Sequence, residues 1–256
     1  MMTFVHSFQS EWLKRKRSLA TWLVIVGGFF TPVIVIAARL LQPEKTIKTY
    51  SSPDFWFQLW RNSWESMAIM LLPMGVILAT SLVTQLEYKN NTWKQVHASP
   101  VGLATLYFSK LSVIIFMMFQ FFILFNIGIY LSAIIPYLVM DVEYPSTAIP
   151  YMTFLKDNAL YFVDCLPIIG LQYLISLRFK NFLVPVGAGL ILLVGSIFSI
   201  SWKYGYLVPY SYCMYHYLMG IGKAHPAGNT HLMATGYFLL FTVTGFILFA
   251  TKKERG

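Results

Sequence analysis

Apolar residues along this chain come in long runs with no polar face, separated by stretches rich in charge, aromatic rings and proline. Six such runs, at about 18–41, 65–86, 111–135, 157–177, 182–200 and 232–250, are each close to the roughly 20 residues a helix needs to cross hydrocarbon. Lipid offers no partner for backbone N–H and C=O groups, so segments of this kind cross as helices, which satisfy those groups internally. The pattern predicts an all-α integral membrane protein with six transmembrane helices, built as a single transmembrane domain over residues 1–256. A different pattern precedes the first run. Phe4, Phe8 and Trp12 recur four apart with Val5 and Leu13 alongside, and Lys14-Arg15-Lys16-Arg17 follows. Residues 1–17 therefore read as an amphipathic helix on the inner membrane surface. A signal peptide is the competing reading, but the next apolar run is too long for it and no small-residue cleavage site follows.

Polar residues inside the runs mark the sides that should face protein. The second run is interrupted at Pro73-Met74-Gly75 and carries Thr80, Ser81 and Thr84 near one end, where small hydroxylic residues suit close helix contact. Gln120 and Asn126 lie in the third run. Asp164, beside Cys165 in the fourth, is an acid inside a predicted span, and an intramembrane carboxylate is costly enough to mark a candidate site. Two readings stand for it: a part in transport, or a hydrogen bond to a neighbouring helix or to water near the outer third of the membrane. Thr80, Gln120, Asn126 and Asp164 form the candidate lining of a substrate pathway. Gly187, Gly189 and Gly195 give the fifth run a small face for a helix seam. Between the runs, residues 42–64 read as an outer connection with an interfacial turn, and the acidic stretch 136–156 as a second outer segment. Residues 201–231, with their many tyrosines, are amphipathic and too polar to span.

The polar stretch 85–110 has a helical pattern of its own. Trp93, Val96 and His97 fall at helical spacing, Asn90, Asn91 and Thr92 are good cap residues before them, and Ser99-Pro100 ends the turn. A simple return loop needs only a handful of residues, so a short helix here is either an interfacial helix on the headgroups or a protrusion that meets a partner. In this stretch Glu87, then Asn91-Thr92-Trp93-Lys94-Gln95, then Ala98-Ser99-Pro100-Val101 and finally Lys110 resemble the first cytoplasmic loop of the ABC-2-type permeases. Asn91 stands where the family more often has Gly, and Asn tolerates the same left-handed backbone.

The resemblance implies a cytoplasmic coupling helix between spans two and three, with Glu87, Asn91, Thr92, Trp93, Lys94, Val96, His97, Ser99 and Pro100 as the residues that couple to an ATPase. It implies cytoplasmic ABC ATPase subunits that bind ATP and Mg, a second permease chain in a homo- or heterodimer, and no cofactor in this chain. Residues 11–18 and the step Pro209-Tyr210-Ser211-Tyr212 most resemble the lantibiotic-immunity and bacitracin-resistance permeases of bacteria. In these, short outer helices precede the last span. The substrate is expected to be amphipathic or hydrophobic, because the spans offer apolar, aromatic and hydroxylic lining but very few ionisable groups.

Composition narrows the class further. The chain is 57% hydrophobic and only 11% charged, against roughly a quarter charged in soluble domains. The net charge of +9 does not indicate nucleic acid, because the basic residues cluster beside the apolar runs. Lys14 to Arg17, Lys89, Lys94, Lys110, Arg178, Lys180, Lys252, Lys253 and Arg255 fall on one side of a six-span arrangement, and most of the acids fall on the other. The positive-inside rule then predicts a multi-pass cell-membrane protein with both termini cytoplasmic. Cys165 and Cys213 give no disulfide framework and read as packing residues, the second in a loop.

No Gly-x-x-x-x-Gly-Lys-Ser/Thr loop is present, so the chain has no recognisable means of binding ATP itself, and if it is a pump the ATPase is another chain. His6, His97, His216, His225 and His231 are scattered, without metal-ligand or protease spacing, and no metal site is expected. With no nucleophile elbow or paired carboxylates either, an enzyme is not indicated. Two alternatives stay open beside the permease: a secondary transporter that works without an ATPase, and a structural or sensory membrane subunit. The first needs midplane ionisable groups and often shows related halves, whereas this chain offers Asp164 and no matching halves.

Overall fold

The computed structural model describes residues 2–16, 18–89, 101–140 and 142–251. Among them the chain is helical throughout, with no strand. Its helices are α1 (Met2–Arg15), α2 (Leu19–Leu41), α3 (Pro43–Tyr50), α4 (Phe55–Ser66), α5 (Leu72–Lys89), α6 (Leu103–Val139), α7 (Tyr151–Arg178), α8 (Leu183–Ser199), α9 (Tyr212–Gly220) and α10 (Thr230–Ala250). Among the described residues, five helical segments are long and apolar enough to cross a membrane: Leu19–Leu41, Phe55–Leu86, Leu103–Val139, Tyr151–Arg178 and Thr230–Ala250. The expected fifth of six, α8, is apolar but has 17 residues, a length of about 25 Å.

Three helices begin earlier than their hydropathy suggests. Residues 55–64 are not a connection: α4 leads through a π turn at Met67–Leu71 directly into α5. Phe55, Trp56, Leu59, Trp60, Ser63 and Trp64 are buried and repeat with helical period, while Gln58, Arg61, Asn62 and Glu65 cover the opposite, exposed face. Averaging over both faces makes this stretch look polar. The π turn has a local cause. Pro73 has no N–H and its ring crowds the carbonyl one turn back, and a wider turn in which the Leu72 N–H reaches the Met67 carbonyl opens the helix just before it. Likewise α6 starts at Leu103 and α7 at Tyr151, well before the runs at 111 and 157. Residues 43–50 also form a helix, with Pro43 in its first turn, where a missing N–H costs nothing.

The core is aromatic at one level and small at another. The Trp64 indole stacks on the Tyr161 ring at 3.7 Å and meets Phe125 edge-on at 5.0 Å, and Trp60 stacks on Phe154 at 4.2 Å. These rings join α4, α6 and α7, each pair adding about 0.5–1.5 kcal/mol beyond its buried area. The α2–α6 seam uses small residues instead. A Cβ on Gly128 would lie 2.6 Å from the Pro32 ring, and one on Gly28 would lie 3.0 Å from Leu124. In α8 only Gly189 plays the expected seam role, lying against Gln172 and Ile77, whereas Gly187 and Gly195 face open space.

The tyrosine-rich segment folds inward. Two 3-10 turns, Gly205–Leu207 and Pro209–Ser211, lead into α9, and Tyr210, Tyr212, Cys213, Tyr215 and Tyr217 are buried. These residues pack alongside the middle of α7: Tyr210 reaches Gln172, Cys213 meets Cys165, and the ring of His216 lies 4.2 Å from that of Tyr161. Cys213 is therefore a helical core residue, not a loop residue.

Candidate functional site

At the first end of the bundle, α1 is bound to α6. Ser7 hydrogen-bonds Ser109 at 2.9 Å, Glu11 pairs with Lys110 at 3.5 Å and also with Lys14, and the Arg15 guanidinium donates to Gln120 Oε1 at 2.8 Å. Trp12 meets Phe116 edge-on at 5.0 Å and lies under the Arg15 guanidinium. Burial pulls that guanidinium down to about 10, which leaves it charged at neutral pH. The stripe at positions 8, 11, 12 and 15 is thus turned to protein, while Phe4, Val5 and Leu13 stay exposed. Lys110 belongs to the second turn of α6 and is buried.

Of the expected coupling residues, Asn91, Thr92, Trp93, Lys94, Val96, His97, Ser99 and Pro100 lie outside the described residues, as does the side chain of Glu87. The four pathway candidates do not converge. Gln120 holds Arg15. Asn126 exchanges hydrogen bonds with Asn158, both 2.9 Å, and joins α6 to α7. Thr80 is buried on the wall of a groove, and its hydroxyl has no hydrogen-bond partner. Asp164 has a separate set of partners, given below.

The groove lies between α2, α5 and α6 and holds about 300 Å³. Leu23, Phe30, Met74, Leu78, Met117 and Phe121 contribute to its lining, and Thr80 is the single hydroxyl. Among the described residues no ionisable side chain lines it. Beside it, a buried polar ladder ties α5, α7 and α8 together. Gln172 Nε2 donates to Ser81 Oγ at 2.8 Å and to the Pro185 carbonyl at 2.7 Å, and Gln85 donates to the Phe179 carbonyl at 2.8 Å. Tyr210 OH donates to Gln172 Oε1 at 3.2 Å. Of the hydroxylic residues at this end of the second span, Ser81 thus makes the helix contact expected of it, whereas the Thr84 hydroxyl donates to the Thr80 carbonyl of its own helix.

A family model described as ABC-2 family transporter protein matches residues 7–199, three quarters of the chain. The chain belongs to the ABC-2 transporter family. The family is one of membrane transport subunits that are not themselves catalytic and that work with ABC ATPase partners. This permease is accordingly a multi-pass membrane protein. No curated protein and no solved structure matches it.

In the permease, Asp164 lies at the middle of α7 and is fully buried. His231 Nδ1 is 2.8 Å from Asp164 Oδ1, and His216 Nδ1 is 3.4 Å from Oδ2 without making a hydrogen bond to it. Next to this cluster the Cys165 and Cys213 thiols touch, their Sγ atoms 3.2 Å apart. A cavity of about 460 Å³ opens beside it, with Trp60, Arg61, Asp157, Tyr161, His216 and His231 among its walls. Linear spacing does not reveal this set, because three helices contribute one residue each. The available signal is Asn229, which caps α10 by accepting from the N–H groups of His231 and Leu232, and so fixes a polar first turn.

Proposed function

We propose that this permease is the membrane-spanning part of an ATP-driven exporter whose substrate is amphipathic or hydrophobic. The class its resemblance indicates is an antimicrobial peptide of the lantibiotic or bacitracin kind, so that transport confers immunity or resistance. The groove between α2, α5 and α6 carries the reading: an apolar groove that shows, among the described residues, one hydroxyl and no ionisable group suits an apolar chain or ring and repels a small ion or metabolite. In this reading α8 is the fifth of six spans, both termini are cytoplasmic, and two permease chains, alike or different, join two ATPases that bind ATP and Mg. The helix expected around Asn91 to His97 receives the push of the ATPases and passes it to the spans on either side, which border the groove.

Gly75 offers a direct test. It lines the groove, and a Cβ there would meet nothing within 4 Å. Gly75→Trp should fill the groove without disturbing the backbone. With the partner ATPase in liposomes, the variant should keep its basal ATP turnover and lose the stimulation by peptide seen in the wild type. Equal stimulation in both would remove the groove from the transport path. The competing secondary transporter has one observation in its favour, the ionisable cluster at Asp164, His216 and His231. Uptake or efflux driven by an ion gradient in liposomes that contain no ATPase would establish it instead.

A further inference from the structure

The polar cluster at the middle of α7 has the chemistry of a cation site. Asp164 is fully buried, and its Oδ2 has no hydrogen-bond partner; neither has the buried Nδ1 of His216. A carboxylate sealed from water costs several kcal/mol unless an opposite charge and hydrogen bonds compensate it. The only hydrogen bond to the Asp164 side chain among those resolved comes from His231, to Oδ1. One nitrogen from each of the two imidazoles and one carboxylate oxygen lie within 4.8 Å of one another. The three come from α7, α9 and α10, so whatever they share links three helices. The His216 ring is held by its packing on Tyr161, and its centroid lies 5.2 Å from that of His231. Both imidazoles line the cavity, which gives an ion a way in and leaves room for a water or an exchangeable ligand.

We propose that Asp164, His216 and His231 bind one divalent transition-metal ion of the zinc class and so pin α9 and the start of α10 to α7. Two imidazoles with one carboxylate are a donor set that zinc accepts, with a remaining position filled from solvent. An alkaline-earth ion, which prefers an all-oxygen set, is a poorer fit. Binding would satisfy Oδ2 and add a positive charge beside the buried carboxylate. It would also hold the inward-folded tyrosine segment beside the helix on which it packs.

The test uses the full chain in detergent, stripped with chelator and titrated with Zn²⁺ by calorimetry and with Co²⁺ by visible absorption. One ion per chain is expected, with a Co²⁺ spectrum of nitrogen and oxygen ligation and a thermal midpoint that rises with metal concentration. Asp164→Asn, which preserves shape, and His216→Gln should each abolish the stoichiometric binding and the midpoint rise. His225→Gln, outside the cluster, should leave both in place. Gel filtration and circular dichroism of the apo variants show whether they fold. Should Asp164→Asn fail to fold, the His216→Gln variant, whose side chain is partly exposed, decides alone. Wild-type protein that takes up no stoichiometric metal, or binding that survives in the cluster variants, would overturn the proposal and leave Asp164 as a hydrogen-bonded partner of His231 only.

Discussion

Gly128 shows how closely a single residue can control the bundle. Its hydrogen stands where any Cβ would strike the Pro32 ring at 2.6 Å, and a proline ring cannot rotate away. Pro32 is itself buried within α2, so the contact joins two helix interiors. Gly128→Ala should destabilise by about 1–3 kcal/mol, the usual cost of overpacking a filled core, read as a lower thermal midpoint in detergent. Pro32→Ala on the same background should restore much of the loss. Gly187→Ala, at a position with open space around it, should leave the midpoint unchanged or slightly higher, since Ala favours helix over Gly. If Gly128→Ala behaves like Gly187→Ala, the α2–α6 approach is looser than these distances state. Both glycines lie in runs that look alike in sequence, and the difference between them is visible only once neighbouring helices are in place.

At the scale of elements, α1 behaves as part of the bundle. A charged stripe on a surface helix would add little, but Glu11 and Lys110 are both nearly inaccessible to solvent. Truncating one member of a buried pair typically costs about 3–5 kcal/mol, because the other charge keeps its desolvation penalty. Glu11→Ala should therefore lower the midpoint markedly and expose the segment around Lys14 to protease. In a double-mutant cycle, Glu11→Ala with Lys110→Ala should fall well short of the sum of the two single effects. Additive effects would mean that α1 rests on lipid independently of α6, as the spacing of Phe4, Phe8 and Trp12 suggests by itself. That spacing establishes an apolar face but does not say whether lipid or protein covers it. Phe8 and Trp12 go to protein, while Phe4, Val5 and Leu13 remain for the interface. Hydropathy reads long apolar spans well for the same reason that it misreads 55–64. It averages over faces, and a helix that buries Trp60 and Trp64 on one side while exposing Arg61 and Glu65 on the other has no clear signal in an average. The cluster at Asp164 was half legible. The acid stands out in an apolar run, but its histidine partners come from 52 and 67 residues further on and acquire meaning only through the inward fold of α9.

The whole assembly depends on a surface that must meet an ATPase, and the strongest sequence evidence for it is the stretch from Glu87 to Pro100. Under the proposed coupling role, a helix that transmits force has to bury an apolar side against its partner, and Trp93 would be its anchor. Large aromatics dominate interface energetics: truncating one in a buried pocket costs about 2 kcal/mol or more, roughly thirtyfold in affinity. The spans on either side are secured independently, by Gln85 and Ser81 on α5 and by the contacts of α6 with α1 and α2. Trp93→Ala should therefore leave the folded permease intact and weaken its hold on the ATPase, seen as loss of co-purification in detergent and of peptide-stimulated turnover in liposomes. Glu87→Gln keeps shape while removing charge, and separates electrostatic capture from packing. A fall with Trp93→Ala alone assigns coupling to packing, and a fall with both assigns it to packing and charge together. A purely interfacial helix gives a different result: Trp93→Ala would shift the permease between membrane and detergent phases while the ATPase stays bound and stimulated. Unchanged capture and stimulation in both variants would show that this loop does not couple, and the ATPase would then have to grip another element, of which α1, already locked to α6, is the one best placed to pass a push into the spans.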